Sequence, residues 1–111
     1  MSLSRNMKQG DLEPDFDPVL YDPDGQPYDL STATSVKVTC YQNGASVFTS
    51  RTASGNSSGQ VSMAWVSGDT NTIGEGASAL KLEVEVEWSS GRIQTFPDNG
   101  YFIVNVTPDL T

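Results

Sequence analysis

The sequence has no histidine, a single cysteine, and only six lysines and arginines against fourteen acidic residues. Without histidine the chain lacks the commonest general base and the commonest metal ligand. Its serines and its cysteine therefore have no base of the usual kind to activate them. The lone Cys40 rules out an internal disulfide. A formal net charge of -8 argues against a nucleic-acid partner, which needs a clustered positive surface. It disfavours anionic membrane surfaces for the same reason. No apolar run approaches the ~20 residues of a membrane span, and no charged start leads into an apolar signal-peptide core. The mature chain is therefore expected to be made in the cytosol and kept or assembled there. Amphipathic helical periodicity is also missing.

What is present is a period of two. In ALKLEVEVEW, Leu80, Leu82, Val84, Val86 and Trp88 alternate with Lys81, Glu83, Glu85 and Glu87, the pattern of a strand with one dry and one wet face. A helix of period 3.6 would scatter those five apolar residues around its circumference. Ser89-Ser90-Gly91-Arg92 is a reversal of hairpin length, and Arg92-Ile93-Gln94-Thr95-Phe96 reads as the returning strand. A Pro97-Asp98-Asn99-Gly100 turn leads to a last strand over residues 101–106, with Phe102, Val104 and Val106 on one face and Ile103 on the other.

The rest of the chain repeats this grammar. An edge strand or arm is expected over residues 5–9, and a second edge strand around Val19-Leu20-Tyr21, where Pro14 and Pro18 remove ladder donors. Ser31-Thr32-Ala33-Thr34 reads as a polar corner holding at most one helical turn. Residues 35–42 place Val36, Val38 and Cys40 inward and Lys37, Thr39 and Tyr41 outward. Asn43-Gly44 is a strong type I′ hairpin signal, with residues 47–52 returning. Residues 53–58 read as a surface connection. Val61, Met63 and Trp65 then share a face. Residues 67–78, with three glycines, are expected to cross the end of the sheets, tethered to the core by Ile73. At 111 residues the chain is one domain that buries roughly 65% of its unfolded surface and needs no staple. The expected fold is all-β, an antiparallel two-sheet sandwich of immunoglobulin-like type, with a closed barrel as the alternative. Met1-Ser2-Leu3, or residues 1–4 at the widest, read as a flexible lead-in or cloning remnant.

Chemistry is sparse. Asp22-Pro23-Asp24-Gly25 has two acids of a calcium loop but neither its third acid nor its bidentate glutamate, and reads as a turn. Glu83, Glu85 and Glu87 read as a solvated face or a contact for a basic partner, and only weakly as catalytic acids. Asp69 in Gly68-Asp69-Thr70 reads as a turn carboxylate accepting backbone N–H groups. Cys40 reads as a buried inert thiol. Trp65 and Trp88 read as core packing. No cofactor is expected, and the chain does not read as an enzyme. Tyr41 and Ile103, outward on their strands, are the candidate interface anchors, with Tyr28 as a third. With Tyr28, Tyr41 and a tryptophan could alternatively make a stacking platform for carbohydrate or a cell surface.

Several stretches in one order resemble the N-terminal domain of phage baseplate upper proteins: Gln9-Gly10-Asp11 with Pro14, then LYDPDGQPYDL from Leu20 and Ala33-Thr34-Ser35-Val36. Gly59-Gln60-Val61 leading to Trp65 and Gly68-Asp69-Thr70 resemble its middle. Glu83-Val84-Glu85-Val86, Ser90-Gly91-Arg92, Thr95-Phe96-Pro97 and Asn99-Gly100-Tyr101-Phe102 resemble its end. The resemblance implies a non-enzymatic β-sandwich adaptor of a phage or prophage tail or baseplate, located in the virion and assembled in the bacterial cytoplasm. Its partners would be other tail or baseplate proteins and further copies of itself. The match departs from the family at residues 74–78, where this chain has extra glycine and serine. It also stops at Thr111, short of the C-terminal region that attaches receptor-binding proteins.

Overall fold

The alternating run becomes the centre of the molecule. In the computed structural model, which describes residues 4–109, strand β5 (Leu80–Trp88) fully buries Leu80, Leu82, Val84 and Val86. Its charged residues lie on the opposite face, and Trp88, at the strand end, is only partly buried. The other strands are β1 (Ser4–Lys8), β2 (Ala33–Gln42), β3 (Ala45–Gly55), β4 (Val61–Ser62), β6 (Ile93–Phe96) and β7 (Phe102–Thr107). They follow the order β1-β7-β5-β2-β3-β4, with β6 also on β5. The chain is all-β, folded as one curled, mixed sheet.

Both edges of β5 are occupied. On one side β2 pairs with it from Ala33 opposite Trp88 to Tyr41 opposite Lys81. The other side is shared: β6 covers Val84 to Glu87 and β7 covers Leu80 to Leu82. Phe96 faces Val84 and Phe102 faces Leu82, so β5 advances two residues while the returning chain advances six. The surplus loops out around Asp98 and Asn99, and β6 and β7 are two halves of one interrupted strand.

The β2–β3 turn is formed as its sequence requires, with Asn43 at φ 54° and Gly44 at φ 79°. β3 outruns the expected return strand: nearly all of it pairs with β2, and Ser54 and Gly55 then pair with β4. One strand thus carries the sheet around a corner. The expected edge strand near Val19 is reduced to isolated bridges, Phe16 with Met63 and Val19 with Gln60, because Pro14 and Pro18 interrupt its donors. This segment nevertheless covers the dry face. Phe16 meets Phe102 edge-on with ring centroids 5.8 Å apart and Trp65 at 6.2 Å. Val61, Met63 and Trp65 are buried beneath it. Gly59 permits the crossing: at φ +78° it lies where a β-carbon would stand 2.9 Å from the carbonyl oxygens of Leu20 and Tyr28. The polar corner holds a single 3₁₀ turn, Leu30–Thr32, capped by the Asp29 carboxylate.

Three expectations need correction. The sheet is not purely antiparallel, since β1 runs parallel to β7 from Ser4 opposite Ile103 to Lys8 opposite Thr107; side-chain alternation is the same for either direction. Ser4 belongs to β1, so the lead-in is shorter than residues 1–4, and Met1-Ser2-Leu3 lie outside the described residues. Ile73 is 46% exposed and tethers nothing. Residues 67–78 are held by two backbone bonds between Gly74 and Val106 and by the buried Gln42 amide, which donates to the Thr72 and Ser78 carbonyls at 3.0 and 3.1 Å.

Leu82 is flanked by Cys40 and Phe102 in one buried row. Leu82→Ala is expected to cost about 2–5 kcal/mol in urea unfolding, whereas Glu85→Gln, on the exposed face, shifts stability by less than about 0.5 kcal/mol.

Candidate functional site

With the inner face dry, the outer face of the sheet is the broad surface left to solvent. Register builds one row across five strands: Ser46, Tyr41, Lys81, Ile103 and Ser4, on β3, β2, β5, β7 and β1. Tyr41 and Ile103 therefore flank Lys81, about 10 Å apart at the usual strand spacing. Tyr41 is 39% exposed, and Ile103 and Lys81 are half-buried. Tyr101, exposed beside them, receives the Lys81 ammonium at 5.7 Å from its ring centroid. Tyr101 was not among the sequence candidates, since nothing in its turn-like surroundings marks it. Next to this row, Glu83, Glu85 and Glu87 run down the middle of the same face and take part in no ion pair among the described residues.

Tyr28 lies at the other end. Its ring packs on Trp88 at 5.7 Å and on Phe96 at 5.2 Å. Gln94 joins the group, donating to the Tyr28 hydroxyl at 3.1 Å and accepting from the Trp88 indole N–H at 3.3 Å. Tyr41 pairs with Lys81, seven residues along β5 from Trp88, which is ~23 Å away. The structure thus joins Tyr28 to a tryptophan but not to Tyr41, and the two rings it joins pack against each other. Nearby, Tyr21, Asp22, Pro23, Gly25 and Asp98 line an open cleft of about 480 Å³. Asp22 uses one carboxylate oxygen to accept from the Asp24 and Gln26 N–H groups at 2.9 Å, fixing a turn. Among the described residues no group of three or more His, Cys, Asp or Glu is placed to hold a metal ion.

The most developed electrostatic feature is internal. Arg51 pairs with Asp69 through two bonds, at 2.5 and 3.1 Å, and lies 3.7 Å above the Phe48 ring. Asp69 is 7% exposed and also accepts from the Val66 N–H at 2.8 Å, the turn role expected of it. Arg51 was not anticipated, because residues 48 and 51 face opposite ways on a regular strand. A bulge brings them together: Val38 faces Arg51 but Cys40 faces Phe48, and the extra residue is absorbed near Ser50, whose φ is 49°. The buried Gln42 left a fainter signal, as the one polar residue on the parity of Val36, Val38 and Cys40.

Cys40 is fully buried. Burial pushes its thiol up to about 12, with the Asp69 charge adding to the rise and Arg51 opposing it. It is expected to resist a thiol-reactive disulfide reagent in the folded protein at pH 8 and to react fully in urea, as read by absorbance. Asp69→Ala, which strands Arg51 and the Val66 N–H, is expected to destabilise by roughly 3 kcal/mol.

No known protein family, curated protein or solved structure matches the chain in comparisons of sequence and fold.

Proposed function

We propose that the protein is a non-enzymatic structural adaptor of a phage or prophage tail or baseplate, working by protein–protein assembly in the virion. The observation that carries this reading is the outer-face row. Tyr41, Lys81 and Ile103 come from three distant parts of the sequence and stand side by side on a rigid sheet, with Tyr101 at their margin. A tyrosine and an aliphatic side chain around a lysine stem give a flat apolar contact with a charged centre, as protein interfaces use. The resemblance of the sequence to baseplate upper proteins supplies the particle. Its finer fold, a two-layer immunoglobulin-like sandwich, is supported by the corner that β3 turns and by the layer of Phe16, Val61 and Met63 over the dry face. Partners are tail or baseplate proteins and further copies of this chain; neither nucleic acid nor membrane is among them. Repetition in a particle turns modest contacts into avid ones.

Co-expression with phage tail and baseplate proteins tests the proposal. The wild type is expected to co-purify with one of them as a defined complex. Tyr41→Asp and Ile103→Asp, which keep the dry face intact, should each weaken that complex about tenfold or more while shifting the melting temperature by no more than about 4 °C. A protein that joins no tail component overturns the proposal, and specific hits on a glycan array favour the carbohydrate-binding reading instead.

A further inference from the structure

Among the described residues the outer edge of β6 is open. β6 pairs with β5 on one side, while β1 covers only β7 and stops short of β6. The Trp88 N–H donates to the Arg92 carbonyl at 2.8 Å, and the ladder alternates, so Gln94 and Phe96 turn their backbone groups toward Val86 and Val84. The N–H and C=O groups of Ile93 and Thr95 therefore point away from the sheet. Among the described residues no other backbone hydrogen bond reaches them. This edge has none of the usual guards: Ile93-Gln94-Thr95-Phe96 contains no charge and no proline. Ile93, at 61%, is the most exposed large apolar residue described.

Charged groups sit at both ends of this edge. Arg92, just before β6, and Asp98, two residues after it, are exposed, and neither side chain makes an ion pair or hydrogen bond among the described residues. Asp98 also lines the cleft, together with Asp22.

We propose that this edge binds the same edge of a second copy, β6 pairing antiparallel with β6 about a two-fold axis at Gln94. Only outward-pointing residues can exchange backbone hydrogen bonds, so Ile93 of each copy faces Thr95 of the other. That register sets Arg92 opposite Phe96 of the other copy, one diagonal step from its Asp98, within reach of a long side chain. Arg92 has the parity of Gln94 and Phe96, which face the layer containing Tyr28. Its guanidinium therefore reaches the cleft that Asp98 and Asp22 of the other copy line, and the two-fold axis forms this contact twice. The resulting sheet runs unbroken through both copies. The proposal concerns a surface separate from the Tyr41 row and holds whatever particle the protein serves.

Sedimentation equilibrium of the full chain up to about 1 mM tests it, the concentration range being that of a weak, small interface. The wild type is expected to show a concentration-dependent dimer. Arg92→Asp and Asp98→Arg should each raise its dissociation constant about tenfold or more, and the double variant carrying both should return it to near the wild-type value. Thr95→Pro, which removes only an outward N–H, should abolish the dimer while circular dichroism shows the fold retained. A wild type that stays monomeric throughout, a dimer indifferent to Thr95→Pro, or a double variant no better than either single one would overturn the proposal. Loss of tail-protein binding in Tyr41→Asp would leave this dimer unchanged, so the two surfaces are tested separately.

Discussion

The structure depends on a constraint at β5: a strand in mid-sheet must have both edges hydrogen-bonded and one face dry. β2 meets the first demand on one side from Lys81 to Trp88, and β6 and β7 share the other. The dry face is covered by a layer that is barely regular, residues 16–21 and 60–65, held by few backbone bonds but by large side chains such as Phe16, Leu20 and Met63. Four fully buried residues in one strand contribute on the order of 6–12 kcal/mol of transfer free energy, comparable to the whole net stability of a domain this size. The inner face is therefore committed, and only outer face, edges and loops remain for partners.

How much of this was legible follows from what side-chain alternation encodes. The parity of Leu80 to Val86, of Val36 to Cys40 and of Phe102 to Val106 is local information and transferred to the structure intact, as did the Asn43-Gly44 turn. Strand direction is not local: nothing in Ser4–Lys8 states that it lies parallel to β7. Nor is a bulge, which reverses parity beyond itself; Arg51 and Phe48 meet only because of one. The tether of residues 67–78 was sought in Ile73 because apolar residues anchor loops. A buried amide with two carbonyl acceptors anchors one equally well, provided every donor is used. The candidate surface was partly visible: Tyr41 and Ile103 could be placed outward, but that they flank Lys81 rests on register across three strands.

The few cations show how an acidic chain holds together. Arg5 joins β1 to the covering layer through the Asp15 carbonyl and the Asp17 carboxylate, and Arg51 holds Asp69 under the loop that follows Val66. Lys37 bonds Thr52 across the β2–β3 pair, and Lys81 lies near Tyr101. Each of these four lies where it fastens one segment to another. Only Lys8 and Arg92 remain without side-chain partners among the described residues, and both lie at or beside a sheet edge.

This distribution separates the ways the protein can meet its own copies from the ways it can meet others. Two outer faces stacked together would oppose two rows of Glu83, Glu85 and Glu87, where successive like charges on one strand, ~7 Å apart, already repel by roughly 0.6 kcal/mol in water and more once water is excluded. Face-to-face self-association is therefore opposed by the same residues that keep the face wet. An edge contact avoids that opposition, because it adds strands in the plane of the sheet and brings an unpaired arginine to an unpaired aspartate. A different protein carrying basic or neutral groups meets no such barrier on the face. In the two proposed contacts the acidic row would act as a selector, directing copies of this chain to the edge and leaving Tyr41, Lys81 and Ile103 to a partner of another kind.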